Sequence, residues 1–137
     1  MLGVYAYGQW TNDNRYINAG YDMFESVAYA GAMTQVLKHV FKRDRPNTAV
    51  DESSWFGSGS AFPSGHTAVA FAVSRSYLNS HEAPSMGTQI FFYGLATSTA
   101  LSRTYGNYHW ASDVVAAAVL GIYTADFVSA QNKKISR

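Results

Sequence analysis

The chain has 137 residues, and ten lysines and arginines against nine aspartates and glutamates leave a formal charge of only +1, which argues against a partner held by bulk positive charge, nucleic acid above all. With 47% hydrophobic and 14% charged residues it is not a disordered segment, and with no cysteine it holds no disulfide, zinc ribbon, thiol nucleophile or iron–sulfur cluster. A chain this long buries roughly two-thirds of its unfolded surface around one core, so a single domain, 1–137, is expected. Ten Tyr, eight Phe and three Trp are an unusual share, fitting a ring-rich core, a membrane-interface belt, or both.

Residues Met1 to Gly8 show neither a basic start nor a continuous apolar run, so no signal peptide is expected there. From about Asn18 to Asp44, Met23, Val27, Ala30, Met33, Val36, Leu37, Val40 and Phe41 recur at three- and four-residue spacing, predicting a long amphipathic helix stopped by Pro46. Asn47 to Phe62, with Gly57-Ser58-Gly59-Ser60, reads as a loop. A second helix begins near Ser64 and ends at a break from Asn79 to Ser85, and a third runs from about Met86 to Arg103. A fourth runs from His109 or Trp110 to about Ala130, before a basic tail of Lys133, Lys134 and Arg137. No stretch alternates with period two, so the expected fold is an all-α compact helical bundle of about five helices, four of which the periodicity places. The small-residue runs at Ala28–Ala32 and Ala116–Ala118 suit close helix approach. A membrane-spanning helix needs about 20 mostly apolar residues, and the mean hydropathy of the chain is −0.13. The uncharged stretches Met86–Leu101 and Val114–Ala125 are therefore expected to be buried helices of a soluble or membrane-associated protein.

Three blocks carry chemistry. Lys38 and Arg45 lie two helical turns apart, with Lys42 and Arg43 between them, concentrating positive charge in a nearly neutral chain. A solvated helix end favoured by the helix dipole is the plainer reading. Asp44 between the two arginines offsets local repulsion, and His39 and His81 are assigned no role. Pro63-Ser64-Gly65-His66 follows the glycine-rich loop and opens a helix: serine can cap, glycine lets a ligand approach the backbone, and free first-turn N–H groups favour an anion. A histidine there could exchange a proton with a bound oxyanion, and the plainer reading is an N-cap beside a surface histidine. Finally Ser102-Arg103 precedes His109 and Asp113, four residues apart. On one helix face the carboxylate could accept from one ring nitrogen and leave the other as an outward lone pair, a nucleophile or base held by an orienting group. A His–Asp pair that merely holds a helix start is the alternative.

Taken together, Lys38 with Arg45-Pro46, then Pro63-Ser64-Gly65-His66, then Ser102-Arg103 with His109 and Asp113, resemble the three-part signature of the type 2 phosphatidic acid phosphatase (PAP2) superfamily, which includes bacterial class A acid phosphatases and vanadium haloperoxidases. All eleven specified positions match, and the stretch from His109 to Ala116 is similar to the sequence the family carries after its nucleophile. The resemblance implies a helical bundle whose blocks meet around one phosphate, with no metal or cofactor. It implies that His109 attacks phosphorus to form a phosphohistidine, that Asp113 orients it, and that His66 protonates the leaving group and later activates water. Lys38, Arg45 and Arg103, with Ser64 and the Gly65 backbone, would hold the phosphoryl oxygens. The implied substrate is a phosphomonoester or pyrophosphate, either a lipid phosphate or a small soluble ester, and vanadate would act as a transition-state-like inhibitor. The low mean hydropathy leans toward a soluble enzyme or one with peripheral membrane contact, and a periplasmic or membrane-associated location is what bacterial relatives imply. Relatives carry further helices before the first block, whereas 37 residues precede Lys38 here, so a member lacking N-terminal helices is expected. Two alternatives use the same residues: a vanadate-dependent haloperoxidase, and a non-catalytic membrane-associated helical protein with a relict phosphate site.

Overall fold

A computed structural model describes residues 1–49 and 55–135; residues 50–54 of the expected loop and Arg137 of the basic tail lie outside them. The elements are α1 (Leu2–Thr11), α2 (Asn14–Phe41), α3 (Gly65–Asn79), α4 (Met86–Tyr105) and α5 (Ala111–Ile135), with no strand among the described residues. The bundle of about five helices is therefore as expected. The helix that periodicity did not place is α1.

α1 and α2 form a helical hairpin. Asn12 ends α1 in the left-handed conformation and returns its N–H to Gln9, the Asp13 amide donates to the Gly8 carbonyl at 3.0 Å, and the Asp13 carboxylate caps α2 by accepting from the Arg15 amide at 2.9 Å. The two helices touch backbone to backbone: a β carbon on Gly20 would stand 2.7 Å from Tyr5 Cβ. α2 stops at Phe41, three residues before the predicted end, because Lys42 adopts φ 41°, ψ 42° and donates its N–H to the Lys38 carbonyl. The chain thus leaves the helix before Pro46 and frees Arg43 to Pro46 for the site.

α3 packs against α2, α4 and α5 and is the centre of the bundle. Its contact layer is built from alanine: Ala30 of α2, Ala68 and Ala72 of α3 and Ala117 of α5 are fully buried together. Small side chains let axes approach closely, and Gly121 marks the tightest point, where an added β carbon would overlap the Ala68 carbonyl and sit 2.9 Å from the Ala72 nitrogen.

The large apolar side chains lie elsewhere. Phe24, Tyr29, Met33, Val36 and Val40 of α2, Ile90, Phe91, Leu95 and Leu101 of α4, and Val115, Val119 and Tyr123 of α5 are all exposed. This corrects the expectation that Met86–Leu101 and Val114–Ala125 are buried helices. α5 is also longer than its uncharged core, and Ala111–Lys134 is long and apolar enough to cross a membrane, with 39% of its most apolar window buried.

Candidate active site

The bundle brings the three blocks to one end. The C-terminal turn of α2 carries Lys38, the start of α3 carries Ser64 to His66, the last turn of α4 carries Arg103, and the turn into α5 carries His109. Contacts distant in sequence stitch them together. The Ser64 amide donates to the Asp113 carbonyl at 3.1 Å, the Asn47 amide to the Asn107 carbonyl at 3.2 Å, and Trp110 Nε1 to the Asp44 carbonyl at 2.9 Å.

His109 is 6% exposed and lies just before α5, its amide donating to the Arg103 carbonyl at 3.3 Å. Its Nδ1 donates to the carbonyl oxygen of Ala61 at 2.7 Å, so the neutral ring carries its proton there and leaves Nε2 as the lone pair. Asp113 is fully buried, and its Oδ2 stands 3.7 Å from Nδ1 while accepting from the Trp110 amide at 2.9 Å. The sequence spacing suggested that Asp113 itself accepts from the imidazole. A main-chain carbonyl holds that bond instead, because His109 is in the turn ahead of α5 rather than in its first helical positions, so the four-residue spacing is not a helical one.

Lys38 Nζ donates to the Ser60 carbonyl of the glycine-rich loop. Its burial, together with the neighbouring positive charge of Arg45, pushes its ammonium below the ordinary lysine range, and the Asp113 carboxylate acts the other way. The Lys38 ammonium therefore senses the charges of both Arg45 and Asp113. Arg103 stacks on the Tyr108 ring at 5.3 Å and donates to Ser102 Oγ at 3.3 Å. At the start of α3, Ser64 is fully buried and accepts from Thr67 Oγ1 at 3.0 Å, Gly65 is half-buried, and His66 is exposed on the first turn. Ser64 makes no side-chain cap, so the first-turn N–H groups of α3 are left to the site. Gly59 brings the loop against the first block, since a β carbon there would lie 2.5 Å from Asp44 Cα.

Arg43 carried no site role in the sequence. Yet it is 7% exposed, its Nη1 donates to Asp113 Oδ1 at 2.5 Å and to Ser112 Oγ at 2.7 Å, and its guanidinium lies 4.3 Å from the Trp55 ring and 5.2 Å from the Trp110 ring. Thr67, which holds the Ser64 hydroxyl, was also missed. Local spacing holds no signal for Arg43, whose partner lies 70 residues away.

Residues 19–137 match the PAP2 superfamily, and the chain belongs to it. Over 100 residues it is 34% identical to the lipid A 1-phosphatase of Porphyromonas gingivalis, a match covering 73% of this chain and 21% of that protein. The chain thus spans about a fifth of the length of that relative. The fold is shared with the crystal structure of LpxE from Aquifex aeolicus, with a TM-score of 0.72 over 93% of this chain and 74% of that one at 18% identity.

Proposed function

We propose that the protein is a phosphatase that hydrolyses a phosphomonoester or pyrophosphate carried by a lipid, through a phosphohistidine at His109. The observation that carries this reading is the tautomer set by Ala61: with Nδ1–H bonded to a carbonyl, His109 Nε2 is a lone pair at the end of the bundle where Lys38, Arg45, Arg103 and the α3 N-terminus also lie. Family membership and the lipid A 1-phosphatase relative support the same chemistry. The exposed apolar faces of α2, α4 and α5 favour a lipid-borne substrate and a membrane-associated protein, with the site at one end of the helices. A periplasmic location is the finer form of this reading.

Nε2 attacks phosphorus, the N–P bond forms as the ester P–O bond breaks, and His66 gives its proton to the leaving alkoxide. His66 then takes a proton from water, whose oxygen attacks phosphorus and breaks the N–P bond, returning free phosphate and the resting imidazole. The cations and the α3 N–H groups stabilise charge on the equatorial oxygens, which is most of what phosphoryl transfer requires. No metal is called on for these steps. The test is hydrolysis of a lipid phosphomonoester, a lipid pyrophosphate and an aryl phosphate in EDTA, with vanadate as inhibitor. Vanadate-sensitive turnover abolished by His109→Ala is expected. Full turnover by that variant, or no turnover by the intact protein, overturns the reading, and halide oxidation on adding vanadate and peroxide would replace it.

A further inference from the structure

We propose that Arg43, outside the catalytic signature, is the positioning residue of His109, because it fixes both acceptors that face His109 Nδ1. This inference rests on the phosphatase reading for its kinetic consequence and on geometry alone for its structural one.

The first acceptor is reached through the side chain. Nη1 of Arg43 holds Asp113 Oδ1 at 2.5 Å while the Trp110 amide holds Oδ2 at 2.9 Å, so both oxygens are occupied and the carboxylate cannot swing away from the imidazole, 3.7 Å distant. The second acceptor is reached through the main chain. The Arg43 carbonyl accepts from the Ala61 amide at 2.8 Å, and the Ala61 carbonyl in turn accepts from His109 Nδ1 at 2.7 Å. One residue between Lys38 and Arg45 therefore ties the first block to the group that the second and third blocks present.

The guanidinium suits this place for physical reasons. Asp113 is fully buried, and a carboxylate taken out of water must be paired and hydrogen-bonded. Arg43 supplies the charge, bonds Asp113 and Ser112 together through Nη1, and lies against two indole rings that favour a flat, weakly hydrated cation. A lysine ammonium has neither the planar face nor the fixed geometry. With Nη1 committed to Asp113 and Ser112, Arg43 acts on His109 through Asp113.

The experiment uses the full chain in detergent and compares the wild type with Arg43→Met, Arg43→Lys, Asp113→Asn and the Arg43→Met/Asp113→Asn pair. Two quantities are read: kcat and KM on a lipid phosphomonoester, and the His109 ring ¹⁵N shifts of the resting protein, which report its tautomer without turnover. Arg43→Met is expected to lower kcat on the order of 10²-fold with little change in KM, as for a misplaced reacting group. Arg43→Lys is expected to recover part of that loss. The double variant is expected to be within a few fold of Asp113→Asn alone, because Arg43 works through that carboxylate. The tautomer should pass from Nδ1–H alone in the wild type to a mixture in Arg43→Met, and less so in Arg43→Lys, which keeps the buried charge and serves if the methionine variant does not fold. Losses that multiply in the double variant, or a wild-type tautomer with wild-type kcat in Arg43→Lys, overturn the proposal. A wild type that hydrolyses no phosphate ester while the tautomer moves as stated removes the phosphatase reading and leaves the positioning role standing.

Discussion

The amide of Ser64 donates to the carbonyl oxygen of Asp113 at 3.1 Å, joining the start of α3 to the first turn of α5 across 49 residues of sequence. This main-chain bond keeps the α3 N–H groups and His109 at one end of the bundle. It also separates the two things Ser64 does, since the bond survives any side-chain change that keeps the backbone. Ser64→Ala removes only the hydroxyl that accepts from Thr67 Oγ1. The expected outcome is a folded protein less stable by about 1 kcal/mol, with turnover lowered by about 10²–10³ if the hydroxyl also holds a phosphoryl oxygen. Thermal melts and initial rates on the same preparation check both.

Lys38 gives a pH prediction. Burial first, then the charge of Arg45, holds its ammonium below the ordinary lysine range, so the positive charge that would meet phosphate is lost at a lower pH than for an exposed lysine. The alkaline limb of kcat/KM should fall below the ordinary lysine range. Lys38→Arg, which keeps its charge to far higher pH, should move that limb upward even though its geometry lowers the rate. A limb that stays in place in Lys38→Arg would assign it to another group.

Gly121 is a packing position with a contrasting control. A β carbon there overlaps the Ala68 carbonyl and lies 2.9 Å from the Ala72 nitrogen, both of them backbone, so α5 must lift from α3. Gly121→Ala should cost roughly 1–3 kcal/mol. Gly31, in the interior of α2, has no atom within 4 Å of an added β carbon, and Gly31→Ala should stabilise the helix by about 0.5–1 kcal/mol. Opposite shifts in melting temperature are the expected signature.

Further along α5, Asp126 accepts from Arg75 Nε at 2.6 Å and from Asn79 at 2.8 Å, tying α5 to α3. Burial pushes its carboxyl up, but the Arg75 and Asn79 hydrogen bonds outweigh that and hold it below the usual carboxylate value. A depressed folded pKa contributes stability that is present above the unfolded value and lost as pH falls through the folded one. The side chains are about two-fifths exposed, so solvent screening limits Asp126→Asn to a loss of at most about 1 kcal/mol at neutral pH. That loss should disappear on acidification. Thirteen residues separate Asp126 from Asp113, about 20 Å along the helix, so phosphatase activity should be unaffected. Melts at two pH values and one rate assay check these statements.

The helices were legible where apolar residues recur against a polar face, and so were the three blocks, because each combines residue types whose chemistry is local. What was hidden depends on partners far away in sequence. α1 was not placed because its tyrosines and glycines give no stripe; it is positioned by the left-handed Asn12 and the close approach to Gly20. Lys42 was expected inside a helix, yet its left-handed conformation ends α2 early. Arg43 read as one charge in a basic run until Asp113 and the two indoles came against it. Part of the aromatic share is accounted for by position: Tyr21, Phe24, Tyr29, Phe91, Tyr105 and Tyr123 lie on outer surfaces while alanine makes up most of the core.

The central claim is that His109 Nε2 becomes covalently phosphorylated. The most direct measurement is to quench the wild-type enzyme in mid-turnover on a ³²P-labelled lipid phosphomonoester and map the label by peptide mass spectrometry under conditions that preserve N–P bonds. An acid-labile, base-stable label on the peptide holding His109, absent in His109→Ala, is the result predicted. Label on any other residue, or an active enzyme whose burst phase carries no covalent phosphate, would contradict it.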